Sequence, residues 1–489
     1  MNLEQAMKRI SELEEELAQM RQAMAWLKRK TYAGGMGETA DKAQMMLHLE
    51  ILERSIERLE KQKISYERTP GNEKRQTLDE RFDKLPLKET VVIEPEEVKA
   101  APEKFEKIGE EVTTELDVTL AKFYRRVIIR PKYRLKEDKS AAPVVAAAPA
   151  RPVTGYASAG LIAWVLINKY VLHLPLYRQE KDSARHGVRI SRQSMAEWVE
   201  AGSGWLEIIY KRMLEKLKAG DYVQCDETPI KCQDPDVEGK TVQGWLWVIS
   251  RPGGDVVFRW RMSREYRHAF ELLQGFKGLL QSDGFAAYCA QVKAGEGIVH
   301  LGCWVHARRY FHKALEESPR RAGLMIRAIG HLYHWESLWD KRGVGPRMRS
   351  ALRHAHFGLT LKWIKRLAIK LKELEVPKSA LAKACGYLLG HWDVLVAHLE
   401  HGKSRLDNNL VENSIRPSAI GKKNWLFIGH PDAGDRSAII YSIVVTCERY
   451  GIDPLAYVAD MLRRLPALKN RDDIDALLPV NWKGSTSAA

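Results

Sequence analysis

The sequence predicts a multidomain α+β protein in which a mixed α/β core follows coiled N-terminal helices. Residues 1–30 carry apolar side chains at heptad spacing, which is typical of coiled helices. Residues 140–152 contain three prolines among small residues, which indicates a linker. From residue 221 the apolar period falls to two and then alternates with helical segments, as in a domain that combines strands and helices.

The predicted helices at the N-terminus occupy residues 1–68. A second apolar series follows the glycine-rich turn at residues 34–37, so the pattern fits a helical hairpin or a dimeric zipper equally well. Residues 69–139 alternate short β-like runs with charged loops, which predicts a small β-rich domain before a linker at 140–153. Within the helices predicted at residues 1–68, the first heptad series runs through Leu3, Ile10, Leu17 and Met24.

Composition restricts the partner and the compartment. Lysine and arginine number 78 against 63 acidic residues, a surplus of 15 that favours a polyanionic partner, with nucleic acid the first candidate. A basic soluble protein without such a partner is the alternative. All six cysteines lie at or beyond Cys225 without close pairs, so we expect reduced thiols in the cytoplasm. We expect no membrane partner, because no signal peptide is recognisable and the longest apolar runs are too short to span a bilayer.

Residues 154–218 are predicted to form a helix-turn-helix-like DNA-binding region. Helices are expected at Ala159–Tyr170 and Leu176–Arg185, and a third at Arg192–Glu200 with Ser191 as its N-cap. Arg192 and Gln193 would then stand at the start of a recognition helix, within reach of base edges or phosphates. Plain helical packing is the alternative explanation of the same layout.

The core is predicted at residues 219–318 and 406–430. Its order is three strands, a helix, a fourth strand, a helix, a fifth strand and a further helix. This is the order of a ribonuclease-H-like domain, in which the first and fourth strands are neighbours. Asp226 and Asp283 are expected just after those two strands. The predicted elements are strands Tyr222–Cys225, Gly244–Ile249 and Val256–Met262, helix Arg264–Phe276, strands Gly278–Ser282 and Ile298–Leu301, and helix Val305–Leu315.

Residues 319–405 interrupt this order with a basic, tryptophan-containing stretch that predicts an all-helical insertion. Its tryptophans are expected mainly as core anchors, with a minority as stacking platforms for bases. Helices and a tail are predicted for residues 431–489.

Three carboxylates are the candidate catalytic residues: Asp226, Asp283 and Glu412. Phosphodiester chemistry needs an activated water or 3′-hydroxyl and a stabilised leaving oxygen, and Mg²⁺ prefers carboxylate ligands for this purpose. Glu412 lies where a helix is predicted to begin, and Asp407 is expected to cap that helix. Glu227 is expected to point to the opposite face of its strand from Asp226, so neither Asp407 nor Glu227 is predicted as a ligand.

Cys303 and His306 form a Cys-x-x-His pair, which is weak evidence for zinc because no second pair follows at suitable spacing. A structural role, or a histidine near DNA, is the expectation, and no zinc is predicted. Basic residues near these motifs are candidates for phosphate contacts, with ordinary solvated surface bases as the alternative. The candidate DNA-binding residues here are Arg308, Arg309, Arg416, Lys422 and Lys423, with Trp425 beside them.

These motifs closely resemble those of the DDE transposases of the insertion sequence 66 family, the large proteins of those bacterial mobile elements. The resemblance covers nearly the whole chain. It rests on His173-Leu-Pro-Leu-Tyr-Arg-Gln179, Asp226-Glu-Thr-Pro229, Ser282-Asp-Gly284, Cys303-Trp-Val-His-Ala-Arg-Arg309, Asp407-Asn-Asn409 with Glu412, and Lys422-Lys-Asn-Trp-Leu-Phe427.

The resemblance implies that Asp226, Asp283 and Glu412 are a catalytic triad that holds two Mg²⁺ ions, with Mn²⁺ as an alternative. It implies double-stranded DNA as substrate, at the element's ends and at the target, in the bacterial cytoplasm at the nucleoid. Synapsis of two ends implies a homodimer or a larger assembly, and small accessory proteins of the same element are possible partners. The family commonly carries a cysteine zinc module, but the matching segment Leu85–Lys136 has no cysteine, so this domain is expected to fold without zinc.

The leading hypothesis is therefore a transposase that cleaves strands and joins them to target DNA. One alternative is a DNA-binding regulator that no longer cuts, which the complete triad disfavours. The other is a nuclease of the same fold without strand transfer, which the coiled helices and the helix-turn-helix-like region disfavour.

Overall fold

The computed structural model describes residues 148–237, 239–284, 288, 297–469 and 472–483, together with residues 123, 124, 128, 129, 132, 133, 144 and 145. The predicted coiled helices and most of the predicted β-rich domain lie outside these residues. Two short strands, β1 (Lys132–Tyr133) and β2 (Val144–Val145), pair antiparallel, so the pairing reaches into the predicted linker.

Among the described residues three helices precede the sheet, and the first two have the predicted bounds: α1 (Ala159–Tyr170) and α2 (Leu176–Arg185). Ser191 caps α3 (Arg192–Lys218) as predicted, since its hydroxyl accepts a hydrogen bond from the backbone of the third helical residue. The predicted end of α3 at residue 200 is wrong. The helix continues because buried apolar side chains recur at helical spacing up to residue 217 and pack into the core.

The sheet has five strands in the order β5-β4-β3-β6-β7. Antiparallel pairing joins β3, β4 and β5, while β6 pairs parallel with β3 and β7 pairs parallel with β6. The expected neighbours, the first and fourth strands of the core, are therefore adjacent. The strands are β3 (Tyr222–Gln233), β4 (Thr241–Ser250), β5 (Val256–Arg261), β6 (Gly278–Gln281) and β7 (Ile298–Leu301).

The first strand of the sheet is longer than predicted, so Asp226 lies within β3 and not after it. β4 provides a continuous antiparallel partner from Gln224 to Gln233, and this partner extends the strand through Pro229. Beyond Gln224 the ladder with β6 ends, which leaves β4 as the neighbour on one side. Proline is tolerated in a strand at such an edge.

The described helices around the sheet follow the predicted order, and the helix expected between the fourth and fifth strands lies outside the described residues except for residue 288. The first follows β5, the second follows β7, and four more form the insertion before the chain returns to the core. The helices are α4 (Tyr266–Leu273), α5 (Trp304–Lys313), α6 (Pro319–Lys341), α7 (Pro346–Leu374), α8 (Ala380–Gly390), α9 (Trp392–Val396), α10 (Asn409–Trp425), α11 (Pro431–Arg449) and α12 (Pro454–Arg464).

Two main hydrophobic cores organise these elements. The larger core joins the sheet to α1, α3, α11 and α12, and the second joins α5 to the insertion helices. Trp339 is buried in the second core as predicted, whereas Trp363 on α7 is 45% exposed. Among the helices of the described residues, none combines the length and the hydropathy needed to cross a membrane.

Candidate functional site

The three candidate carboxylates lie on elements that meet at one edge of the sheet. Gln224 on β3 is in register with Gln281 on the parallel strand β6. Asp226 and Asp283 each follow by two residues, so the two aspartates come from equivalent places on neighbouring strands. Glu412 lies in the first turn of α10, as predicted, and α10 packs against β3.

The pKa of Asp226 reflects its burial and its acidic neighbours. The pKa of Asp226 is raised well above its usual value, first by burial and then by the negative charges of Glu227 and Asp283, with a further contribution from Glu412. Clustered carboxylates that repel one another in this way are stabilised by a divalent cation, whose charge offsets the repulsion. The donor set, which consists of carboxylate oxygens, also suits Mg²⁺ or Mn²⁺.

A buried polar network fixes the segment that leads into α10. The Nε2 of Gln224 donates to the Oε1 of Gln281 at 2.8 Å and to the backbone carbonyl of Asp407 at 2.8 Å. The Nε2 of Gln281 donates to the carbonyl of Arg405 at 2.8 Å. The two glutamines therefore hold residues 405–407 against the strands that carry the aspartates. Sequence reasoning missed them, although a glutamine stands two residues before each aspartate.

Asn408 ties the start of α10 to β3. Its side-chain Nδ2 donates to the carbonyl of Cys225 at 2.9 Å, and its backbone N–H donates to the Sγ of Cys303 at 3.4 Å. The N-cap of α10 is Asn408 and not Asp407 as predicted, but the Asp407 carboxylate accepts the N–H of Asn409, the first residue of the helix, at 3.1 Å. Glu412 lies one helical turn beyond Asn408.

Basic residues of α5 surround the Glu412 carboxylate. Arg309 pairs with its Oε2, and the Nε2 of His306 lies 3.8 Å from its Oε1. Oε1 has no hydrogen-bond partner in the described part of the chain. A cleft of 440 Å³ opens beside Glu412, and its walls include two of the three arginines predicted to contact phosphates on these helices, Arg309 and Arg416. The cleft is lined by Arg309, Asn409, Glu412, Asn413, Ile415, Arg416 and Ala419.

Glu227, the acidic neighbour of Asp226, has different partners. Its side chain is buried and accepts hydrogen bonds from the Nε of Arg264 and the hydroxyl of Tyr288, each at 2.9 Å. These partners occupy both carboxylate oxygens. Glu227 is therefore paired with Arg264 and Tyr288, and its exclusion from the ligands remains a prediction.

The insertion braces the loop of Asp283. The hydroxyl of Tyr387 on α8 donates to the backbone carbonyl of Asp283 at 2.7 Å. The Tyr387 ring stacks on Tyr310 at 4.4 Å and on His391 at 4.3 Å between centroids. Gly284 has a φ of +88°, and a Cβ there would lie 2.6 Å from the His391 ring, so the loop requires glycine. Sequence reasoning did not identify Tyr387, which is 104 residues from Asp283.

The remaining candidate DNA-binding residues lie at two other places. Arg192 pairs with Glu180 of α2 at 3.1 Å, and Gln193 donates to Glu197 at 3.2 Å, so their partners lie within the helix-turn-helix-like region. Arg308 on α5 and Lys423 on α10 are exposed. On α10, Lys422 donates to the carbonyl of Pro229 at 3.0 Å and Trp425 packs against the larger core.

Comparison with known proteins gives two family matches. Residues 154–436 match the model described as Transposase IS66 family, and residues 442–480 match the IS66 C-terminal element. The chain is 34% identical over 410 residues to the uncharacterized protein y4qI of Sinorhizobium fredii, which covers 80% of this chain and 75% of the relative. It is 31% identical over 410 residues to y4jD of the same organism, covering 80% of each protein.

Proposed function

Because the chain belongs to the IS66 family of transposases, we propose that it is a DDE transposase acting on a bacterial insertion element. It binds the element's terminal inverted repeats, cleaves DNA strands in an Mg²⁺-dependent reaction and transfers the freed ends to target DNA. One observation carries the proposal: Asp226 and Asp283 occupy equivalent places on adjacent strands, and a buried network fixes the helix of Glu412 beside them.

The sheet supports a ribonuclease-H-like core as the framework of this chemistry. Its first three strands are antiparallel, and two parallel strands are added beside the first. The insertion helices α6 to α9 then intervene before α10, which supplies the third carboxylate.

Asp226, Asp283 and Glu412 would hold the divalent ions. When bound, Mg²⁺ supplies an activated water or 3′-hydroxyl and stabilises the leaving oxygen. The raised pKa of Asp226 and the unpartnered Oε1 of Glu412 both fit a cation between these side chains. The reaction that we propose does not use zinc.

The basic side chains of the site bind and orient the DNA backbone. Arg309 and Arg416 line the cleft beside Glu412, where their guanidinium groups fit phosphate oxygens. Lys422, Lys423 and Arg308 extend this basic surface. Arg192 and Gln193 lie at the start of α3. They would contact bases or phosphates of the terminal repeat, separately from the catalytic centre.

The assembly that we propose is a homodimer or larger complex on double-stranded DNA in the bacterial cytoplasm, with accessory proteins of the same element as further partners. Two alternatives share the fold: a regulator that binds DNA without cutting, and a nuclease without strand transfer. No specific contact in the described residues favours either alternative.

Two assays together separate these functions: cleavage of intact terminal DNA, and strand transfer with pre-cut terminal DNA. The wild-type protein should join the 3′ end to target DNA in Mg²⁺ or Mn²⁺, and Asp283→Ala should bind the same DNA without joining it. DNA binding without cleavage or joining by the wild type would support the regulator instead. Cleavage without joining would support the nuclease, and full activity in Asp283→Ala would overturn the triad.

A further inference from the structure

A cysteine, a histidine and a glutamate meet between α5 and α10. One ligand atom from each of Cys303, His306 and Glu412 lies within 4.8 Å of the others. Cys303 precedes α5 and His306 is one turn along it, so the two side chains share a face that looks toward α10. The proposed Mg²⁺ site uses neither Cys303 nor His306.

The hydrogen bonds of His306 leave the nitrogen near Glu412 able to bind a metal. The Nη1 of Arg309 lies 3.2 Å from the Nε2 of His306, and a guanidinium can only donate. Nε2 must therefore carry its lone pair, which is the form that binds a metal. Nε2 also lies 3.8 Å from Oε1 of Glu412, close to the separation of about 3.5 Å between two ligands of a tetrahedral zinc.

The thiol completes a ligand set that differs in kind from three carboxylates. Thiolate and imidazole select ions such as Zn²⁺ and Co²⁺ over Mg²⁺. Burial raises the pKa of the Cys303 thiol to about 12, and backbone N–H donation from Asn408 to its Sγ, at 3.4 Å, offsets part of that rise. Three protein ligands leave one tetrahedral position open, as in zinc sites that keep an exchangeable ligand.

We propose that Cys303, His306 and Glu412 form a binding site for a thiophilic divalent ion such as Zn²⁺. The bound ion uses the Oε1 of Glu412, and it displaces Arg309 from the Nε2 of His306. The site goes beyond the proposed function and does not depend on it, because the ion binds whether or not the protein cuts DNA. The sequence predicted no zinc here because the third ligand is 106 residues beyond His306.

Cobalt is the probe for this site, because a cobalt–thiolate bond absorbs in the near ultraviolet. Reduced, metal-free, full-length protein is titrated with Co²⁺, and the charge-transfer band is followed. We expect a saturable band that Zn²⁺ removes by displacement. Cys303→Ala should lose the band, whereas Cys385→Ala, which removes another buried cysteine in the second core, should keep it.

A second variant keeps the test decisive if Cys303→Ala does not fold. His306→Asn retains the thiol and removes the nitrogen ligand, and it should weaken Co²⁺ binding by about 100-fold or more, since even outer partners of metal ligands contribute about 10–100-fold. The absence of a thiolate band in the wild type would overturn the proposal. So would a band that persists in Cys303→Ala, or an unchanged Co²⁺ affinity in His306→Asn.

Discussion

Replacing Gln281 with leucine removes the centre of the buried network while nearly preserving side-chain volume. Oε1 of Gln281 accepts from the Tyr222 hydroxyl at 2.5 Å and from Gln224 at 2.8 Å. Its Nε2 donates to the carbonyls of Arg405 at 2.8 Å and Gly302 at 3.3 Å. Four buried hydrogen bonds at about 1 kcal/mol each predict a loss of about 4 kcal/mol in the free energy of unfolding.

The same substitution should also weaken divalent-metal binding, because residues 405–407 would no longer be fixed against β6. We expect Mn²⁺ affinity to fall by about tenfold, the lower end of the effect of outer partners of metal ligands. Isothermal titration calorimetry of the full chain measures this affinity, and urea denaturation measures the stability.

Gln179→Leu is the matched control. Gln179 is also buried and donates to two backbone carbonyls, those of Leu174 at 2.9 Å and Val165 at 3.3 Å, within the α1–α2 region. It should reduce stability by about 2 kcal/mol without changing Mn²⁺ affinity. An unchanged Mn²⁺ affinity in Gln281→Leu, or an equal loss of affinity in both variants, would refute the proposed role of the network.

Three further predictions concern single side chains. Tyr387→Phe keeps the stacked rings and removes the hydrogen bond to the carbonyl of Asp283. The free energy of unfolding, measured by urea denaturation, should fall by about 1 kcal/mol. An unchanged free energy of unfolding would contradict a stabilising role for this hydrogen bond. Arg309→Gln frees Glu412, so calorimetry should show Mn²⁺ affinity raised by up to about fivefold, whereas a decrease would contradict competition by the guanidinium. Burial and a neighbouring arginine lower the pKa of His398 to about 3, so the folded protein keeps it neutral and loses stability as pH falls below 6.5. The stability difference between wild type and His398→Asn should shift by about 2 kcal/mol against the wild type from pH 7 to pH 5, and a pH-independent difference would contradict this.

Local patterns predicted much of the fold. The bounds of α1 and α2 followed from helical periodicity, and the order of the core strands followed from alternating apolar residues. The length of β3 could not be predicted in this way. Pro229 indicates the end of a strand, and only the structure shows the continuous ladder with β4. The end of α3 was missed for a similar reason: the sequence does not show which core the later turns pack into.

The candidate site was predicted less completely than the fold. Motifs identified Asp226, Asp283 and Glu412, which remain predictions as metal ligands. The contacts that hold them, such as Gln224 with the segment before Glu412, join residues far apart in sequence and leave no periodic signal. Tyr387 is a similar case, since a tyrosine in a helical insertion reads as ordinary core.

Cleavage of duplex DNA carrying the element's terminal repeat, by wild type, Glu412→Gln and Asp407→Asn, tests the central claim most directly. Asp407→Asn keeps an oxygen that can accept the N–H of Asn409, so it is the matched control on the same helix start. With DNA binding verified for all three proteins, we predict Mg²⁺-dependent cleavage by the wild type and Asp407→Asn and none by Glu412→Gln. Cleavage by Glu412→Gln at the wild-type rate, or its loss in Asp407→Asn alone, would contradict the assignment of the third carboxylate.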